Sequence, residues 1–255
     1  MNMKKNGFSL VELIIAVAVG LLIMTAVYAI INMAQSSSVS VGRKVVTQQD
    51  ARSVLDLMAM EIRMASYNPT MSTTIWSTIP TAACASMGNV SPVPASKGIQ
   101  TATANTILVA MDLSNPTVYP AVIGDSLNEY IEYSYNGADT ITRNVSCSGD
   151  TPILGGTTDS ATMVANGTCS SYTNGTCTCA ANINGTCPAL FQYFDASGNN
   201  LANSAGTVPT ASIPNIRRIR ITIVANTKYT DRLTHESRIM TYTTDVLVKN
   251  HAFSP

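Results

Sequence analysis

The chain has 255 residues with 15 basic and 15 acidic side chains, so its formal net charge is zero, and charged residues make up only 12% of it. A typical domain carries ~25%, so Ser, Thr, Asn and Gly supply much of the polar surface here, and the even balance does not suggest a dedicated nucleic-acid binder.

The N-terminus organises the rest. Lys4 and Lys5 precede Gly7, and an apolar run then extends from Phe8 to Met33, broken by one acid, Glu12. Such a run is long enough to cross a bilayer as a helix, which takes ~20 residues. Lysines before it, and no basic residue after it until Arg43, place the N-terminus in the cytoplasm and the remainder outside. A secretory signal would have a shorter apolar core closed by a small-x-small cleavage site; here the small residue comes first. An unpaired carboxylate near the start of a membrane helix costs about 3 kcal/mol, so Glu12 calls for a cationic partner.

The stretch GFSLVEL followed by a long apolar helix closely resembles the prepilin motif of type IV pilins and type II secretion pseudopilins. The resemblance implies cleavage after Gly7 by a prepilin peptidase and N-methylation of Phe8. It also implies a salt bridge between Glu12, the fifth mature residue, and the Phe8 amine of a neighbouring subunit. Loss of the leader, residues 1–7, leaves 13 basic against 15 acidic residues. The implied partners are other pilins and minor pilins in a filament, the peptidase, the inner-membrane assembly platform, and membrane lipid before assembly. The implied location is the bacterial inner membrane, then a pilus or pseudopilus. One departure is visible: many major pilins carry a proline in this helix, and residues 8–67 contain none.

Past the membrane, Ala51, Leu55, Met58, Ile62 and Ala65 alternate in spacings of four and three, an apolar stripe on one helical face. Arg52, Asp56, Glu61 and Arg63 lie off it. The periodicity predicts one helix from about Phe8 to Ser66, ended by Asn68-Pro69. Residues 8–33 form its transmembrane or filament-core part and 34–67 its amphipathic continuation. Residues 68–255 form a β-rich head.

No charged residue occurs between Arg63 and Lys97. This stretch reads as a long connection over the head, with Trp76 and Ile79 as anchors and Cys84 as a staple. Strands are expected at 105–113, 128–135 and 139–145, the last two joined by an Asn136-Gly137 hairpin turn. Further strands are expected at 189–194, turning through 195–199, at 216–224 with Ile219, Ile221 and Ile223 on one face, and at 237–249 with Met240, Tyr242, Thr244, Val246 and Val248 on one face. Such strands predict a mostly antiparallel sheet. The fold class is therefore α+β, a long N-terminal helix packed on that sheet. MAMEIRMASYNP (58–69) and the order FQYFDASGNNL, then SIPNIRRIRITIV, then VLVKN resemble PilW-type minor pilins and, more loosely, GspJ-type pseudopilins. The middle, 71–188, carries no such resemblance.

Within a cysteine-rich insertion at about 147–188, one tetrapeptide recurs as Asn166-Gly-Thr-Cys169, Asn174-Gly-Thr-Cys177 and Asn184-Gly-Thr-Cys187, and Cys179 adds a Cys-x-Cys. Outside a membrane, Cys84, Cys147, Cys169, Cys177, Cys179 and Cys187 favour disulfides, in any of 15 connectivities. A thiolate metal site is the alternative, weakly supported by one Cys-x-Cys. The Asn-Gly-Thr triplets and Asn144-Val-Ser146 match the N-glycosylation pattern, which the bacterial resemblance makes coincidental.

No Ser/His/Asp set, phosphate loop or HExxH is present, and no enzyme activity or cofactor is expected. His235 and His251 sit near polar strand ends as structural residues. Asp195, Ser197 and Asn199 imitate a calcium loop, but its twelfth position is Gly206, so a hairpin turn is favoured. Arg217, Arg218 and Arg220 read as a solvated strand face ahead of a phosphate contact. Two functions stay open: a minor pilin, PilW-like or GspJ-like, that joins or initiates a filament, and an adhesin carried on a pilin stem that uses the cysteine-rich region.

Overall fold

A computed structural model describes residues 9–77, 94–113, 122–156, 162–166, 171–173, 176–178, 188–228 and 239–253. Ser9 caps helix α1 (Leu10–Arg63), its hydroxyl accepting from the Glu12 amide at 3.3 Å. Ser-x-x-Glu is a helix-start pattern, and an acid in the first turn faces the positive end of the helix dipole. The helix runs unbroken for 54 residues, ~80 Å at ~1.5 Å per residue. Ser36 returns its hydroxyl to the Met33 carbonyl and is absorbed without a break.

No residue from Leu10 to Val46 is buried, whereas Thr47, Ala51, Val54, Leu55, Met58, Ala59 and Ile62 are. The stripe expected from Ala51 to Ala65 is therefore the face on which the head sits. The helix ends earlier than the Asn68-Pro69 pair suggests. Met64 caps it, and Ser66 reverses the chain with φ 62°. Its amide then donates to the Ala110 carbonyl at 2.9 Å. Gly98 is packed beside it so closely that a Cβ would lie 2.4 Å from the Ser66 nitrogen. Asn68 instead shapes the next turn, accepting from Thr70 and Ser72 and donating to the Ser72 carbonyl.

The head contains two antiparallel sheets where the sequence suggested one. The first is a five-stranded meander of β1 (Ile99–Ala102), β2 (Thr106–Ala110), β3 (Tyr130–Tyr135), β4 (Ile141–Val145) and β5 (Thr151–Leu154), paired in that order. The expected β3–β4 turn is present. Asn136 accepts from the amides of Ala138, Asp139 and Thr140, and Gly137 has φ 79°. The second sheet pairs β11 (Ile239–Leu247) with one edge of β10 (Arg218–Thr227). Along the other edge of β10 lie β9 (Phe191–Phe194) and then β6 (Thr162–Val164). Strands β7 (Ser171–Thr173) and β8 (Thr176–Thr178) form a separate ribbon, and helix α2 (Lys249–Phe253) follows β11. Strands β5 and β6 fall inside the stretch read as a cysteine-rich insertion.

One core joins these parts. It contains the α1 stripe, Ile219, Ile221, Ile223 and Ala225 of β10, and Ile107, Val109, Ile131, Tyr133 and Ile141 from one face of the first sheet. The other face of that sheet carries a smaller cluster, in which Trp76 and Ile75 cover Leu108, Ala110, Ile123 and Tyr130. Trp76 is the anchor expected from sequence; Ile79 lies outside the described residues.

A gap between β9 and β6 would expose the edge of β10 at Thr222–Val224. Asn166 fills it: its amide nitrogen donates to the carbonyls of Thr222 (2.7 Å) and Pro188 (3.1 Å), and its oxygen accepts from the Val224 amide (2.9 Å). A side-chain amide thus stands in for a strand backbone. Asn166→Ala leaves a buried N–H and C=O unpaired, for which a loss of about 2–4 kcal/mol is expected. Urea unfolding of the detergent-solubilised protein measures it, and Asn166→Asp fares no better because it loses both donors.

Candidate functional site

Three groups of residues bear on function: the N-terminal helix, the joint between helix and head, and the polar clusters of the head. Gly7 and Phe8 lie outside the described residues. Glu12 is exposed on α1 and forms no ion pair among the described residues. The helix is long and apolar enough to cross a membrane, and its apolar half has no cover within the described chain.

At the joint, Glu61 leaves the helix surface to meet the first sheet. Arg143 of β4 holds it with two hydrogen bonds, Nη2 to Oε1 at 2.6 Å and Nε to Oε2 at 3.0 Å. The Tyr133 hydroxyl donates to the same carboxylate. Burial, then this carboxylate, raises Tyr133 above the usual phenol range. Sequence spacing placed Glu61 off the stripe and missed its partner. A signal existed: Arg143 is the lone cation between Lys97 and Arg217. Beside the pair lies a cavity of about 450 Å³ whose lining includes Leu127, Val145 and Ile153. Its one titratable lining residue is Arg143, already held by Glu61, so the cavity brings no acid–base pair together.

A second joint lies at the helix end. The Gly98 amide donates to the Ser66 hydroxyl at 3.0 Å, Ser66 Oγ lies 2.7 Å from His251 Nδ1, and His251 Nε2 lies 2.8 Å from the Ile213 carbonyl. A carbonyl only accepts, so Nε2 carries the proton; Nδ1 then accepts from Ser66. His251 was expected near a polar strand end; it is instead fully buried in α2. Burial, with smaller contributions from Lys97 and Arg217, lowers it to about 4 against the Ile213 hydrogen bond. His235 lies outside the described residues.

The remaining clusters are structural pairings. Arg218 and Arg220 both bond Asp245, at 3.0 and 2.8 Å, and Arg218 lies 4.2 Å from the Phe194 ring centre. Arg217 donates to the Pro214 and Ile216 carbonyls. The arginine cluster is thus occupied by an acid, a ring and backbone. Asp195 accepts from the amides of Ser197 and Asn199, and Phe194 bridges Asn200, which is a hairpin turn. Asn144 and Asn166 of the Asn-x-Ser/Thr triplets are buried and hydrogen-bonded. Cys147 is disulfide-bonded. Cys84, Cys169, Cys179 and Cys187 lie outside the described residues, as does the side chain of Cys177.

Three acids are buried among the described residues, Asp112, Glu129 and Glu132. Glu129 accepts from the amides of Leu113, Gly124 and Ser126, at 2.9, 2.8 and 3.2 Å. Burial nevertheless raises it. Burial, then the Asp150 carboxylate, pushes Glu132 up to about 7.

The lowered His251 fixes a pH dependence. Between 6.5 and 4 the unfolded chain protonates this histidine before the folded one, so its own contribution to stability is full above pH 6.5 and falls toward pH 4, while the raised Glu132 acts in the opposite direction. The loss is at most ~3 kcal/mol. The His251 ring resonance, assigned with His235→Gln, is expected to titrate with a midpoint about 4. A midpoint near 6.5 would show a solvated ring.

The family model for the prokaryotic N-terminal methylation motif matches residues 2–28. No curated protein and no solved structure matches the chain. The motif at the head of a long apolar helix, followed by antiparallel sheets, supports a type IV pilin-like protein.

Proposed function

We propose that this chain is a PilW-like minor pilin of a type IV pilus that takes part in initiating and building the filament. The observation that carries this reading is the methylation motif over residues 2–28 joined to a helix whose apolar half finds no cover in its own chain. Cleavage follows Gly7, and Phe8 becomes the methylated N-terminus. Before assembly the apolar half lies in lipid, with the head outside. In the filament it packs among the helices of other subunits, and the six cysteines are oxidised.

Glu12 then supplies register. Helices already in lipid gain no hydrophobic driving force from associating, so apolar contact alone sets no stagger between them. An acid without water and an amine without water meet at one stagger only. Glu12→Ala and Glu12→Gln are expected to leave membrane insertion and cleavage at Gly7 intact. Both should lower the ratio of protein in sheared filaments to protein in membranes by about tenfold or more. That corresponds to ~1.4 kcal/mol, modest for a desolvated charge pair. Unchanged ratios for both variants would remove Glu12 from assembly, and a mature protein beginning at Met1 would remove the pilin reading itself.

A further inference from the structure

Charge in the middle of the chain does not balance. Between Met64 and Ile216 the sequence holds eight acids and two cations, Lys97 and Arg143. Arg143 is committed to Glu61 on the helix-facing side of the first sheet. Lys97 sits by the helix end, where it acts on His251.

The opposite face of that sheet gathers negative charge. Glu132 and Asn144 are cross-strand partners on β3 and β4, so their side chains share a face. Tyr130, two residues before Glu132, lies on that face too. The Asn144 amide nitrogen donates to Asp150 Oδ1 at 3.0 Å, and its oxygen accepts from the Gly149 amide at 3.2 Å. This brings the Asp150 carboxylate to the same place, where it is the charge that acts on Glu132. Glu132 is only 8% exposed, and its carboxyl makes no hydrogen bond among the described residues. Tyr130 is fully buried within the field of Glu132, and its hydroxyl has no hydrogen-bond partner. A buried hydroxyl without a partner is costly, and it lies on the face where two carboxylates meet with no ion pair to a cation among the described residues.

We propose that Glu132 and Asp150, with the Tyr130 hydroxyl, form a site for a hard divalent cation of the calcium type. All the donors are oxygen, which selects the calcium and magnesium class over zinc or copper. The neighbouring Cys147 is disulfide-bonded and offers no thiolate. Calcium accepts irregular oxygen sets completed by water, whereas magnesium demands near-ideal octahedra. A cation here ties β3 to the segment that follows β4. The site is independent of how the N-terminal helix is used.

The test is calorimetric titration of full-length, EDTA-stripped protein in detergent with CaCl₂, and in parallel with MgCl₂. One calcium per chain is expected, with a dissociation constant of about 10⁻⁴–10⁻³ M, as in extracellular modules, and weaker magnesium binding. Glu132→Gln and Asp150→Asn should each weaken binding ~10-fold or more, since affinity follows the charge of the ligands. Asp150 is exposed, so its variant reports on the site even where Glu132→Gln unfolds. The absence of calcium binding up to ~10 mM, above the range of extracellular modules, would overturn the proposal. So would calcium binding unchanged in both variants, or a stability that responds to pH and not to calcium, which assigns the pair a shared proton.

Discussion

The structure depends on how a single long helix is shared between two environments. Its second half buries one stripe, from Thr47 to Ile62, against β10, β11 and the inner face of the first sheet. Burial of this kind is strong but has no direction, and a smooth apolar stripe tolerates rotation and sliding. The polar contacts at its end remove that freedom. Arg143 and Tyr133 hold Glu61, and Ser66 is held between Gly98 and His251. A charge-assisted, two-pronged pair has one good geometry, so the first contact fixes rotation. The second fixes where the helix stops, because only a reversed Ser66 reaches both Gly98 and α2.

Much of this was legible in the sequence, for identifiable reasons. The membrane-length run, the stripe, the Asn136-Gly137 turn and the isoleucine face of β10 each rest on a short period or a local preference of the backbone. What escaped the reading is non-local. Glu61 and Arg143 are 82 positions apart, and Ser66 and His251 are 185 apart. No periodicity links them. The same holds for Asn166, which the repeat marked as the first of three equivalent triplets; in the fold it serves as a piece of strand backbone. The division into two sheets was hidden because β1, β5 and β6 span only three or four residues, too short to display alternation. The motif behind the proposed N-terminal site was the clearest in sequence, since Gly7 to Glu12 are six consecutive residues and need no fold to assemble them.

The head shows how a chain poor in charge manages its few ions. The pairs on the second sheet, Arg218 and Arg220 with Asp245, are partly exposed and contribute at most ~1 kcal/mol each. The Glu61 pair is more enclosed, its side chains 12% and 21% exposed, and it acts as a positional device. Removing one partner of such a pair costs more than the pair itself contributes, because the other charge stays desolvated. Glu129 follows a different rule, with three backbone amides supplying the positive ends that no lysine or arginine provides.

The unbroken helix links these arrangements mechanically. Glu61 lies 49 positions after Glu12, ~75 Å of helix, with neither the proline nor the inserted turn that causes sharp kinks. Gly20 and Gly42 are both within the helix, and nothing packs against either of them. In the proposed filament, rotation and height set at Glu12 would carry through to Glu61, and from Glu61 to β4. In that filament a subunit whose N-terminal half is fixed by its neighbours would present its head at one orientation, with the outer face of the first sheet turned away from its own helix. Flexibility placed midway, as a proline would place it, would uncouple the two. Its absence from residues 8–67 is the sequence feature on which that coupling rests.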